Sequence, residues 1–266
     1  MSHERAAHTL EEFFTGHRAV RGAIRESDVT IAHLRLGTYT PEVTKFDALE
    51  DTYLYAQLIA RALSTATIHT ITDIGAGSSI PTLWAIRSVG GWNGRVEASD
   101  VDAAALDVSR RNAEKTGSLA QYAFQHASLF DVLPHLVTGP GHLIAANLPY
   151  LPIPLPSAGP DMMTVNGGPD GTQYLLPLLA HPMEQGTLVA LQWSSLSDPV
   201  AVMRCIERSY AVLSVTAHQT PFGMYTNANP IRAHLEQQRR EGRAVFSTNK
   251  AGEHAYMFLG TILQRC

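Results

Sequence analysis

From residue 68 onward, short apolar runs alternate with segments whose apolar residues recur at helical spacing. "IHTITDI" (68–74) reads as a buried strand, followed by a Gly/Ser turn and a helix over about 80–88. "RVEAS" (95–99) is a second strand, and "DAAALDVSRRNAEKTG" (102–117) a helix that stops at Gly117. "QYAFQHA" (121–127) and "HLIAANL" (142–148) supply strands three and four. A helix near 171–184 leads to a fifth strand, "GTLVALQW" (186–193). A helix over about 198–209, then "YAVLSVTAH" (210–218) and "AYMFLGTIL" (255–263), complete the set. Such alternation predicts βαβ units: an α/β fold with a doubly wound, mostly parallel sheet. Upstream, Leu10, Phe13, Phe14, Ala19, Val20 and Ile24 predict one or two short N-terminal helices. Residues 36–51 look irregular, and "DTYLYAQLIARAL" (51–63) resumes a helical pattern. Residues 219–254 break the rhythm with Pro221, Gly223 and Pro230 and a helix in "PIRAHLEQQRREG", which predicts an insertion able to cover a pocket.

Composition narrows the partners. The chain has 266 residues, 45% of them hydrophobic and 17% charged, with a net charge of -4. A slightly acidic balance disfavours extensive phosphate binding, so nucleic acid is the weaker partner class. Cys205 and Cys266 stand far apart without a His/Cys cluster, which speaks against a disulfide framework and a structural zinc site; no metal is expected. The charged start lacks an apolar core of signal-peptide length. No apolar run approaches the ~18 residues of a membrane span, so the expectation is a soluble, cytoplasmic protein.

In parallel sheets, ligands sit beyond the carboxyl ends of strands. After strand one come Asp73, Gly75, Ala76 and Gly77, a tight turn that brings backbone close to a ligand. A nicotinamide dinucleotide fingerprint wants a third glycine where Ile80 stands. A carboxylate just before the glycines would repel a pyrophosphate; it suits a ligand carrying an ammonium or sulfonium. Strand two closes on Asp100 and Val101, where a carboxylate can accept both ribose hydroxyls of a nucleoside. Ribose capture without phosphate points to S-adenosyl-L-methionine. The plainer reading is that Asp100 or Asp102 caps the helix beginning near Ala103, one role falling to each aspartate. Ser128 and Leu129, in the third loop, are placed to read adenine.

Taken together, "DIGAGSS", "ASDVDAAALDVSRRNA", "ASLFD" and "ANLPY" resemble class I S-adenosylmethionine-dependent methyltransferases, and among them the HemK-type N-methyltransferases, which include release-factor glutamine methyltransferases. Asn147-Leu148-Pro149-Tyr150 stands where that family has Asn-Pro-Pro-Tyr, and "NGGPDGTQYLLPLL" (166–179) is similar to its Gly-Gly-x-Asp-Gly loop. "YTP" and "EDTYL" (39–54) look like the family's Tyr-x-Pro and Asp-Thr segment. The resemblance implies a seven-stranded Rossmann-like domain over 51–266, preceded by an N-terminal helical or lid segment over 1–50. It implies that the Asn147 side chain and the Leu148 carbonyl accept the N–H bonds of a planar nitrogen, that Pro149 stiffens the loop, and that Tyr150 stacks on the target. Trp193 and Tyr225 are further candidates to contact it. The plainer reading makes Tyr150 a core aromatic, Asn147 a turn residue, and Asp170 a helix cap.

Leu148 replaces the family's first proline, and "NLPY" is the form typical of adenine-N6 rRNA dimethylases. Ser128 stands where many relatives have an aspartate, and the 219–254 insertion has no family counterpart. Those departures point to a different acceptor, and the expectation is N-methylation of a small amide or amine. The alternatives are a release-factor glutamine or an RNA adenine; a NAD-dependent oxidoreductase or a binding protein on a retired methyltransferase fold would be different classes altogether. Oligomeric state is not legible.

Overall fold

The computed structural model describes residues 2–23, 41–44, 49–118, 121–154 and 162–266. Ile24, residues 36–40 and 45–48 of the irregular stretch, and with them Tyr39 of the Tyr-x-Pro pattern, lie outside the described residues. The chain divides into two compact units, each built from separate stretches. Unit 1 comprises Met1–Ile24, Leu148–His181 and Gln192–Thr261; unit 2 comprises Arg25–Asn147, Pro182–Leu191 and Ile262–Cys266.

Unit 2 holds α2 (Leu49–Thr65), β2 (Thr70–Ile74), α3 (Ile80–Val89), β3 (Arg95–Asp100), α4 (Ala103–Lys115), β4 (Tyr122–His126), α5 (Leu129–Val132) and β5 (His142–Ala146). The first four residues of β6 (Leu188–Ser194) belong to it as well. Its strands run parallel in the order β6-β5-β2-β3-β4. The chain therefore winds outward from β2 through β3 to β4, then returns to β5 on the other side of β2. This is the Rossmann-like, doubly wound arrangement, and its switch of direction lies between the carboxyl ends of β2 and β5. In register, Ile74 of β2 faces Ala146 of β5. The central strands are mostly β-branched or small and almost wholly buried, as strands covered on both faces must be. Ile59, Ile71, Val96, Leu143 and Ala190 meet in one core cluster.

Unit 1 contains α1 (His3–Gly16), β1 (Val20–Ala23), α6 (Leu175–Ala180), α7 (Pro199–Ser209), β7 (Tyr210–Pro221), α8 (Met224–Asn227), α9 (Asn229–Arg240), β8 (Phe246–Thr248) and most of β9 (His254–Arg265). Strand β1 pairs in parallel with β7, β7 neighbours β9, and β8 pairs with β9 antiparallel. Helix α1 packs Leu10, Phe13 and Phe14 inward and rests on α7. The apolar stripe predicted for residues 4–25 thus yields one helix and then a strand, not two helices. The reason is Val20–Ala23's partner: Thr216–Gln219 of β7 supply a ladder that local spacing cannot reveal.

Nine strands stand among the described residues where the resemblance implied seven; β1 and β8 are the additions. The helix expected over 171–184 is shorter, Leu175–Ala180. A turn in which Asp170 accepts from the Thr172 N–H (3.0 Å) delays its start, and Pro182 prevents its extension. The 219–254 insertion resolves into the end of β7, α8, α9 and the β8 arm of a hairpin. Among the described residues, no helix is long and apolar enough to cross a membrane.

Candidate functional site

In unit 2, β2 runs into the glycine turn. Gly75 and Gly77 hold φ of 73° and 54°, a region that costs a side-chain-bearing residue about 1–2 kcal/mol. A Cβ placed on Gly77 would meet nothing within 4 Å, so the turn opens onto free space. The amides of Gly75 and Ala76 both donate to the Ser99 carbonyl, at 2.8 and 2.9 Å, and fasten the turn to β3. The Gly77 N–H donates to Asp100 Oδ2 at 2.9 Å, and the Asp102 N–H to Asp100 Oδ1 at 2.9 Å. With the Val101 amide also facing the carboxylate, these bonds leave part of its acceptor capacity open. Asp102 caps α4, accepting from the Ala104 N–H at 2.9 Å, so the cap falls to Asp102 and not to Asp100. Burial pushes the Asp100 carboxyl above its ordinary range, against the backbone donors of Asp102 and Gly77.

Asp73 lies behind the turn with no exposed surface. The Tyr55 hydroxyl of α2 donates to its Oδ1 at 2.8 Å, and the Thr82 hydroxyl of α3 donates to Oδ2. Burial raises its carboxyl to about 6 although both bonds pull the other way; the nearby Asp100 charge adds to the rise. Helix α4 holds the turn from beneath. Ser109 donates to the Ser79 hydroxyl at 2.5 Å, and Asn112 donates to the Ser78 carbonyl at 3.0 Å. Tyr55, Thr82, Ser109 and Asn112 were not singled out from the sequence. Ser109 and Asn112 carry a signal nonetheless: two polar residues three apart on the buried face of a helix.

Beside Asp100, Val101 is 55% exposed, and Phe130, just past Leu129, is 49% exposed. Leu129 itself is buried. The Ser128 hydroxyl donates to Asp131 Oδ2 at 2.6 Å and accepts from the Asp131 N–H at 3.3 Å. It is thus committed to capping α5. Asn147, half-buried, follows Ala146 directly, so it leaves β5 next to where the glycine turn leaves β2. An open glycine turn beside the Asp100 carboxylate, with the buried Asp73 behind it and the exposed Val101 and Phe130 on the segments that follow β3 and β4, offers acceptors, negative charge and apolar surface at one end of the sheet.

In unit 1, Leu148 is buried and Pro149 and Tyr150 are half-buried. The Tyr150 ring lies 5.4 Å from that of Phe258, tilted by 48°. The Gly-Gly-Pro-Asp-Gly loop closes on Tyr150's backbone. A Cβ on Gly167 would stand 2.8 Å from Tyr150 Cα, and one on Gly171 would stand 2.9 Å from Ser197 Cα. Only glycine admits that approach. Gly167 N–H donates to Leu151 O and Leu151 N–H to Val165 O, each at 2.9 Å, which joins loop and motif into one body. From α9, His234 Nε2 donates to the Pro169 carbonyl at 2.6 Å. Trp193 has no exposed surface and packs edge-on against Phe13, with centroids 6.2 Å apart. The acceptor-facing place expected of Trp193 gives way to core packing, because β6 turns this side chain inward. Tyr225 is 38% exposed on α8, beside Met224 at 77%. Among the described residues no cluster of His, Cys, Asp and Glu could hold a metal ion.

No protein-family profile matches the chain. It is 30% identical over 154 residues to the release factor glutamine methyltransferase of Moorella thermoacetica, covering 55% of this chain and 53% of that protein. It is 39% identical over 98 residues to the release factor glutamine methyltransferase of Chlorobaculum tepidum, covering 36% of this chain and 32% of that one. Solved structures that align with it include TrmN from Thermus thermophilus (17% identity, 84% of this chain and 52% of that chain, TM-score 0.43). Another is precorrin-6y C5,15-methyltransferase from Geobacter metallireducens GS-15 (14% identity, 83% and 93%, TM-score 0.44). The chain spans about half the length of the first curated relative, and over those 154 residues it is similar in sequence to a release factor glutamine methyltransferase.

Proposed function

We propose that the protein is an S-adenosyl-L-methionine-dependent N-methyltransferase acting on a carboxamide nitrogen, and that the acceptor is a glutamine side chain of a protein. The observation that carries this reading is that Asn147 stands at the switch point, just past the end of β5 and level with the open glycine turn that leaves the neighbouring β2. The relatives' names favour a protein glutamine over the small amide or amine expected from the sequence.

The residues of unit 2 suit the cofactor. Gly77 leaves space where a ligand's backbone-hugging portion would lie, and the spare lone pairs of Asp100 suit ribose hydroxyls. Exposed Val101 and Phe130 suit an adenine face, while Leu129 and the capped Ser128 shape the floor of that loop. Asp73, when ionised, supplies negative charge behind Gly75 and Ala76 for an ammonium or sulfonium. The cofactor supplies a methyl group on a positively charged sulfur.

An amide nitrogen is a poor nucleophile because its lone pair is delocalised into the carbonyl. The Asn147 side-chain oxygen and the Leu148 carbonyl accept its two N–H bonds, orient the lone pair and stabilise the positive charge that grows on nitrogen. Pro149 fixes the backbone so that these acceptors are in place beforehand. Tyr150 offers a ring face to the flat amide. Transfer breaks the sulfur–methyl bond, forms nitrogen–methyl and releases one amide proton to water. Positioning of this kind is worth up to roughly 7 kcal/mol.

The test uses methyl-labelled cofactor and a purified release factor, with mass spectrometry to locate the label. Wild-type protein should label a glutamine. Asn147→Ala should lose transfer by at least about a hundredfold while holding S-adenosylhomocysteine about as tightly as wild type. Asp100→Ala should lose the cofactor itself. Near-normal turnover in Asn147→Ala, or heat protection by NAD(H) without protection by S-adenosylhomocysteine, would overturn the reading.

A further inference from the structure

The end of β6 carries buried hydroxyls that the transfer chemistry does not use: Ser194 and Ser197 have no exposed surface. Ser197 Oγ donates to the Tyr150 carbonyl at 2.8 Å. Since that bond consumes its only hydrogen, the 3.0 Å contact between Ser194 Oγ and Ser197 Oγ must run from Ser194 to Ser197. Ser194 in turn accepts from the Leu196 N–H at 3.2 Å. The bonds therefore form a directed series, from the Leu196 amide through two hydroxyls to the Tyr150 carbonyl. The other end of the same peptide is held too, because Leu151 N–H donates to Val165 O at 2.9 Å. The peptide plane between Tyr150 and Leu151 is thus fixed at both its oxygen and its nitrogen.

Two further features make this a fixed seat. Gly171 passes so close to the Tyr150 carbonyl and to Ser197 that a side chain there would push them apart. Asp198, next in the chain, holds φ 34° and ψ 69°, sparsely populated values for a residue with a Cβ. Its N–H donates to Arg243 O at 3.0 Å, and its side chain caps α7.

We infer that Ser197, oriented by Ser194, is a positioning residue for the methyl acceptor: it locks the Tyr150–Leu151 peptide and so sets where the Tyr150 ring presents its face, an inference that rests on the functional reading above. Ser197 touches neither cofactor nor reacting atoms; it acts through Tyr150.

The experiment compares full-length wild type, Ser197→Ala and Ser197→Thr. Steady-state methyl transfer to a release factor gives KM and kcat, titration gives S-adenosylhomocysteine affinity, and hydrogen exchange reports the Leu151 amide. In Ser197→Ala, KM for the acceptor should rise about tenfold, while cofactor affinity should stay within about twofold. The Leu151 amide should exchange at least about tenfold faster without any acceptor present. Ser197→Thr, which keeps the hydroxyl, should recover most of both changes. An unchanged KM and unchanged exchange in Ser197→Ala, a loss expressed in cofactor affinity, or a threonine variant as impaired as alanine would each overturn the inference. A wild-type protein that transfers no methyl to the release factor would instead overturn the functional reading, and the exchange of Leu151 would still decide whether Ser197 fixes this peptide.

Discussion

Asp73 shows how burial and bonding compete on a single carboxylate. Burial raises it to about 6, although the Tyr55 and Thr82 hydroxyls both favour its ionised form. The folded chain therefore holds this proton more tightly than the unfolded chain, where an aspartate titrates near about 3.9. Its contribution to stability is complete below the unfolded value and is lost as pH rises through about 6. Against Asp73→Asn, which does not titrate, wild-type stability should fall by roughly 2–3 kcal/mol between about pH 4 and about pH 7, as urea unfolding at each pH would read. A constant difference would mean that Asp73 is ionised throughout. Asp198 offers the opposite substitution. Burial raises its carboxyl, and its backbone is left-handed. Asn tolerates that backbone and keeps the cap without the buried charge, so Asp198→Asn should be neutral or stabilising by up to about 1 kcal/mol. Asp198→Ala, which loses the cap and keeps the strain, should cost about 1–2 kcal/mol. A lower melting temperature for Asn than for Ala would refute this account. Residues of this kind are half legible in a sequence. That Asp102 would cap α4 follows from local spacing. That Tyr55 and Thr82 would meet Asp73 does not, because their approach is set by how α2 and α3 pack.

At the scale of elements, the strand–helix alternation from β2 to β6 is readable because each piece carries its own period and its own stop. Strand β1 is not, since four residues of "VRGA" become a strand only against β7. The pairing of "NLPY" with "GGPDG" was visible as two motifs; that Gly167 and Gly171 clear the way for Tyr150's backbone needed the fold. Helix α4 is a similar case. Its Asn112, fully buried, accepts from the Glu42 N–H at 2.9 Å and donates to Glu42 O at 2.8 Å and Ser78 O at 3.0 Å. One side chain thereby ties residues 41–44 and the glycine turn to the same helix. Asn112→Ala leaves buried backbone groups unpaired and should cost about 2–3 kcal/mol. Asn112→Asp should cost more despite its matching shape, since a carboxylate would face two carbonyls it cannot bond. Both variants should also weaken S-adenosylhomocysteine binding, because Ser78 anchors the turn. If Asp proved milder than Ala in denaturant unfolding, the bonding assigned to Asn112 would be wrong.

For the molecule as a whole, charge bears on the acceptor more than on the fold. With a formal net charge of -4, the chain has no general attraction for phosphate. The two acidic groups nearest the glycine turn, Asp73 and Asp100, make that region less hospitable still to a polyanion. A protein acceptor recognised by an amide grip and a ring face is held through short-range contacts that salt barely screens. An RNA acceptor must release counterions as lysines and arginines replace them along its backbone. Raising salt from about 50 to about 200 mM should then lower kcat/KM for a protein acceptor by no more than a few-fold, against roughly a thousandfold for a nucleic acid held by six or more phosphates. The measurement needs only the labelled-methyl assay at several salt concentrations. A steep slope would move the acceptor to RNA and leave the proposed roles of Asn147 and Leu148 unchanged, since an adenine amine offers the same two N–H bonds as a glutamine amide.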